Sequence, residues 1–367
     1  MINNHCPETI WLIDTTLRDG EQSPGVAFSR KTRETVATLL AEAGVDELEA
    51  GTPAMGPGEQ ADILAISRLN LSCRLTCWCR ARREDIEDAA SCRTEGVHIA
   101  FPVSSIQLGA MNKNEDWVLL QLEDLLAFAI REFPFVSVGA LDATRADPVF
   151  LKQFTRQAFQ HGAHRLRIAD TVGIATPASI SAIVALLQES AETMALEFHA
   201  HNDLGMATAN AISAIQAGIN AVSVTVNGLG ERAGNAALEE VATAVAVTKI
   251  RTSNICLERL MPLCQYIAEA SCRPIPLNKA VTGSLVFTHE SGIHCNGMLK
   301  DVRTFEPFSG SLLGRSSELL IGKHSGKAML RQVLKDMNID FSHPVDDELC
   351  DQILCNLRAL YSSADIS

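Results

Sequence analysis

No run of about 18 apolar residues occurs in this 367-residue chain, so no membrane-spanning helix is expected. The first residues, Met1-Ile2-Asn3-Asn4-His5, lack the basic-then-apolar pattern of a secretory signal. Lys and Arg fall short of Asp and Glu, 31 against 44, giving a formal net charge of -13. Such a chain has no basic stripe, which argues against nucleic acid as a partner. A small anionic substrate stays open, because one or two arginines beside a metal dominate the field of a cleft. The 11 cysteines do not read as a disulfide framework in a chain of this length. Cys77-Trp78-Cys79 lies in a strand-like run and the others are scattered, as expected of reduced thiols in a cytoplasmic protein. Internal repeats and low-complexity tracts are also missing.

What is present is a large apolar fraction, 47%, in an alternating pattern. Strand-like runs occur at Trp11–Thr16, Glu47–Gly51, Leu75–Cys79, Val97–Phe101, Phe135–Leu141, Arg165–Ala169, Leu196–His201 and Ala221–Val226. An amphipathic helical pattern follows each: Lys31–Ala43, Pro57–Leu69, Arg83–Cys92, Glu115–Arg131, Pro148–His161, Pro177–Glu189, Met206–Ala217 and Ala236–Lys249. Gly44, Gly96, Gly162 and Gly218 fall just after helices, where a left-handed residue is wanted. Eight such units with right-handed crossovers predict an α/β fold, a (β/α)8 TIM barrel over residues 1–255. A doubly wound open sheet is the alternative. Residues 256–367 read as a helical and loop extension, with helices at Lys327–Asp336 and Asp346–Leu360.

The densest chemistry lies at His199-Ala200-His201, at the end of an apolar run. Side chains at i and i+2 of a strand share a face, so both imidazoles are expected to point one way. In a barrel, functional groups gather at the carboxyl ends of strands. Those ends carry Asp14–Gln22 after the first strand, Asp170-Thr171 after the sixth, the two histidines after the seventh, and Asn227–Asn235 after the eighth. A carboxylate, two imidazoles and an amide oxygen suit a divalent metal ion: Mg, Mn or Zn. The Gly-rich stretch Gly228–Gly234 has neither G-x-G-x-x-G spacing nor a Walker lysine, though its amides are candidates for holding an anion. Gly322–Lys327 reads as a helix-start loop with solvated lysines, with anion binding as the alternative.

Asp14–Gln22, Glu49–Gly56, Asp170–Gly173, His199–Asn210, Asn227–Val241, Phe287–His294 and Leu320–Gly326 together resemble the homocitrate synthase and isopropylmalate synthase family. The likeness covers nearly the whole chain and is strongest to the nitrogen-fixation type of homocitrate synthase. It implies condensation of acetyl-CoA with a 2-oxo acid, 2-oxoglutarate above others. Isopropylmalate, citramalate and citrate formation are the alternatives, as is acyl-CoA cleavage on a related metal barrel. It also implies a homodimer whose extension reaches the partner's active site. Carried over by position, Asp19, His199 and His201 are metal ligands, and Asn235 completes or approaches the metal shell. Arg18 and Thr171 bind the two ends of the oxo acid, Glu49 lies in its pocket, and His294 acts near the acetyl methyl group from the neighbouring subunit.

The chain departs from that pattern at three places. Leu141 stands where relatives carry a Glu, immediately before Asp142. Phe305 stands where they carry a Tyr. Leu108–Asn112 lacks their basic or aromatic pair. A Leu neither accepts a proton nor orients an imidazole, so altered or lost turnover is a further expectation.

Overall fold

The computed structural model describes residues 9–336 and 346–363. Two compact units divide the chain, Met1–Pro274 and Ile275–Ser367.

The first unit is a closed barrel of eight parallel strands in sequential order. They are β1 (Trp11–Asp14), β2 (Glu47–Glu49), β3 (Arg74–Arg80), β4 (Gly96–Pro102), β5 (Phe135–Leu141), β6 (Arg165–Asp170), β7 (Ala195–Ala200) and β8 (Ala221–Val224). β8 pairs back onto β1, Ile13 opposite Ser223, and closes the ring. The outer helices are α1 (Arg30–Ala43), α2 (Pro57–Ser67), α3 (Arg83–Ser91), α4 (Ser105–Ala110), α5 (Glu115–Glu132), α6 (Pro148–Gln160), α7 (Pro177–Ala191), α8 (Ala207–Gln216), α9 (Leu238–Thr248) and α10 (Leu260–Ala270).

Local chemistry explains where these elements begin and end. Asp147 accepts N–H bonds from Val149 and Phe150, and Pro148 opens α6 where no donor is needed. Thr176 and Ser179 form a reciprocal capping box before α7. Gly44, Gly162 and Gly218 adopt φ of 90°, 84° and 100° after their helices, as expected. Gly96 does not. It is the first residue of β4, where a Cβ would lie 2.9 Å from the Phe135 ring; close packing, not a left-handed turn, requires glycine there. Short α4, capped by Ser104, was not expected in the loop after β4.

The barrel has two different sides to its wall. Leu12, Leu48, Val97, Ile99, Val136, Val138, Leu166, Ile168, Phe198 and Val222 are buried beneath the helices. The alternate positions are charged or polar and also buried: Glu47, Glu49, His98, Ser137, Arg165, Arg167, Glu197 and Ser223. Arg165 on β6 bonds Glu47 on β2, two strands that are not neighbours, so these side chains meet across the interior.

The second unit pairs β9 (Thr288–His289) with β10 (Glu318–Leu319) and contains α11 (Gly292–Met298), α12 (Lys327–Asp336) and α13 (Asp347–Ser363). Leu330, Cys350 and Leu354 form its small core. No helix among the described residues is long and apolar enough to cross a membrane.

Candidate metal centre and substrate pocket

The turn after β1 is wound around one carbonyl. The N–H groups of Arg18, Asp19 and Gly20 all donate to the oxygen of Thr15, at 3.1, 2.8 and 3.1 Å. Asp14 accepts from the N–H and hydroxyl of Thr16, and the Thr16 hydroxyl accepts from Val226 N–H on the far side of the β1–β8 seam. Asp19 and Arg18 are thereby delivered to the carboxyl end of the barrel.

There the Asp19 carboxylate meets both imidazoles. Its Oδ2 lies 2.9 Å from His199 Nε2 and 3.8 Å from His201 Nε2. One ligand atom of each of the three residues lies within 4.8 Å of the others, and all three residues are buried. Burial alone would raise the Asp19 carboxyl, but Arg18 and the two histidines outweigh it and hold it well below the usual range. Burial and the neighbouring His199 push the His201 imidazole down to about 4, so it is neutral at pH 7. A charged carboxylate and a neutral imidazole are the ligand forms a cation needs.

Asn235 joins this cluster through the loop after β8. His201 and Asn235 form an antiparallel bridge. The Asn235 amide donates to Leu229 carbonyl at 3.1 Å, while its buried Oδ1 has no partner among the described residues. Buried polar atoms are rarely left so, and an amide oxygen is a donor that a cation accepts. The Gly-rich loop exists for this approach: a Cβ on Gly234 (φ 85°) would lie 1.9 Å from the Gly228 carbonyl. Within this loop Gly228, Leu229, Gly234 and Asn235 donate their N–H groups to the carbonyls of Thr225, Val226, Glu231 and Gly228.

Beside the cluster lies a charged wall. Arg18 Nε donates to Glu49 at 2.5 Å and its Nη1 is 3.4 Å from Asp19. Burial raises the Glu49 carboxyl, but Arg167 and Arg18 overcome it and bring it to about 2. The Thr171 hydroxyl accepts from Asp142 N–H at 2.8 Å, which leaves its own proton to donate. Arg232 clasps the loops carrying these groups, holding Asp203 by two bonds and donating to the Thr171 carbonyl at 2.9 Å.

Sequence reasoning passed over several neighbours. Trp78 packs against the Arg18 guanidinium, 5.6 Å from ring centroid to Cζ. His98 Nδ1 bonds Ser137 at 2.9 Å in the barrel interior. The available signal was polar side chains at alternate positions of strands that a parallel barrel usually fills with apolar residues.

Leu141 closes β5, half-buried. Asp142 turns away at φ 60° and gives its carboxylate to Arg145 and Ser104, so it does not stand in for a Glu at 141. In the second unit, His294 stacks on Phe305 with ring centroids 4.1 Å apart. At Gly322–Lys327 the Glu290 carboxylate already receives the His324 N–H, and Lys327 pairs with Asp351, which leaves the helix-start reading.

Comparison with known proteins accords with this geometry. The HMGL-like family profile matches residues 9–267, and the homocitrate synthase post-HMGL domain-like profile matches residues 281–364. Homocitrate synthase 1 of Nostoc sp. is 45% identical over 91% of this chain and 89% of its own length. 2-Isopropylmalate synthase 2 of Caldanaerobacter subterraneus is 42% identical over 89% of this chain and 85% of its own length. Among solved structures, the HMG-CoA lyase of Brucella melitensis shares the fold, with a TM-score of 0.65 at 18% identity over 72% of this chain and 99% of that one.

Proposed function

This chain belongs to the HMGL-like family and carries the post-HMGL region of homocitrate synthases, and from that premise we propose that it condenses acetyl-CoA with a 2-oxo acid, 2-oxoglutarate before others. The relatives are synthases named for different products, so the acceptor is the open variable and a few pocket side chains decide it. The observation that carries the reading is the convergence of Asp19, His199 and His201 beside the orphaned Asn235 oxygen and Arg18.

Asp19, His199 and His201 would hold a divalent cation (Mg, Mn or Zn), with Asn235 Oδ1 close by. Such an ion supplies a Lewis acid for the keto oxygen of the acceptor. Arg18 presents a planar fork to the acceptor's carboxylate, held in plane by Glu49 and by the Trp78 ring. Thr171 donates its hydroxyl proton at the other end. Arg167 also pairs with Glu49, so Glu49 is shared between two arginines. Residues 256–367 reach a partner's active site in a homodimer, and His294 of that extension takes the proton from the acetyl methyl group. Condensation and thioester hydrolysis then release CoA.

A thiol-release assay tests this, with acetyl-CoA against 2-oxoglutarate, 2-oxoisovalerate, pyruvate and oxaloacetate, and Mg, Mn and Zn supplied in turn. The expected result is metal-dependent CoA release, largest with 2-oxoglutarate. Cleavage of the corresponding acyl-CoA product with no condensation in any combination would overturn it in favour of a lyase.

A further inference from the structure

The amino ends of the strands enclose a second cavity, of about 390 Å³, at the mouth of the barrel opposite Asp19 and the imidazoles. Trp11, Arg74, Phe135, Arg165 and Ala221, the first residues of β1, β3, β5, β6 and β8, line it together with Asn220. Its volume lies at the lower end of the range for small-molecule sites, roughly 300–1,000 Å³.

The lining is one-sided in its hydrogen-bonding chemistry. The Arg74 guanidinium sits against two rings, with Cζ 3.9 Å from the Phe135 centroid and 4.7 Å from that of Trp11. The rings hold its plane and leave its edge available. It makes one bond, Nη1 to Glu47 at 3.3 Å, and its other N–H groups have no acceptor among the described residues. The Trp11 indole N–H likewise has no acceptor among them. Asn220 uses its Oδ1 to accept from Leu196 N–H at 3.0 Å, so its amide N–H groups remain. The Thr9 hydroxyl is engaged with that of Thr252. Among the described lining residues the unused donors outnumber the acceptors.

The charge points the same way. Glu47 is shared: Arg165 takes both of its oxygens, at 2.6 and 2.9 Å, and Arg74 has the longer 3.3 Å contact. Arg165 is also 2.7 Å from Glu197, so it is fully compensated. Arg74 is left undercompensated, and it lines the cavity. Ala221 and the edge of Phe135 make the rest of the surface apolar.

We propose that this amino-terminal mouth binds a small organic monocarboxylate, its carboxylate forked by Arg74 and met by Trp11 and Asn220, its apolar body against Phe135 and Ala221. A planar guanidinium with two adjacent free donors matches a carboxylate, and the apolar wall selects against inorganic phosphate. The site is independent of the reaction assigned above and lies at the other end of the barrel.

Benzoate is the probe, titrated calorimetrically into the full-length protein at constant ionic strength, with Trp11 fluorescence as a second readout. Arg74→Gln removes the fork. Ala221→Leu fills the cavity and leaves every charge in place. The expected result is saturable binding, weakened by about tenfold or more in each variant, the size of effect that loss of one charge-assisted pair produces. Thermal melts of both variants check that the fold is kept. No saturable binding, or wild-type affinity in both variants, overturns the proposal. Equal displacement of benzoate by phosphate overturns the assigned ligand class.

Discussion

At the end of β5 the chain places the isobutyl group of Leu141, where the family resemblance implies a carboxylate. Leu141 does not hydrogen-bond an imidazole, and Asp142 is committed to Arg145 and Ser104. Phe305 keeps a ring against His294 and offers no hydroxyl. On the proposed reaction, proton transfer at the acetyl methyl group therefore rests on His294 with neither helper. Positioned acid–base groups are worth about 10²–10⁴-fold in rate. The double variant Leu141→Glu, Phe305→Tyr should raise kcat in the thiol-release assay by a factor in that range, with little change in acceptor binding. An unchanged kcat, with both substrates bound, would show that these positions do not limit turnover. That His199 and His201 face the same way was legible because strand geometry fixes which residues share a face, and the two are i and i+2. The roles of Trp78, His98 and Arg232 were not, because each depends on a partner on a different strand or loop.

Elements were legible where local rules agreed. All eight strands lie within two residues of the apolar runs that predicted them. His201 is the informative exception: it leaves β7 and pairs with Asn235 in the loop after β8. That loop shows what its glycines permit in the backbone. Gly234 combines a left-handed φ with a Cβ position 1.9 Å from the Gly228 carbonyl, so any side chain there must move backbone. Gly234→Ala should cost about 2 kcal/mol or more of stability and weaken metal binding by displacing Asn235. A denaturant titration and a Mn²⁺ titration of the same protein check both. Unchanged metal affinity would remove Asn235 from the site.

Across the whole barrel, charged side chains form a continuous column down the axis. Arg74 pairs with Glu47, Glu47 with Arg165, Arg165 with Glu197, Glu197 with Arg167, Arg167 with Glu49, and Glu49 with Arg18, which reaches Asp19. The sequence shows these residues as i, i+2 pairs, Glu47 and Glu49, Arg165 and Arg167, a pattern equally suited to a solvated strand face. The closure of the sheet, which no local signal reveals, turns that face inward. Breaking one member leaves buried charge uncompensated, at a cost of about 3–5 kcal/mol. Glu197→Gln, which leaves Arg165 only the shared Glu47 and Arg167 only the shared Glu49, should lower the urea midpoint accordingly, and added salt should not restore it. A midpoint equal to wild type would show that water, not carboxylate, solvates these arginines. The proposed chemistry depends on one cation seated between Asp19 and the imidazoles. Titrating metal-stripped protein with Mn²⁺, followed by electron paramagnetic resonance, measures that directly. One tightly bound ion per chain, lost in Asp19→Asn and in His199→Ala, is the predicted result; the same ion bound with the same affinity in both variants would contradict it.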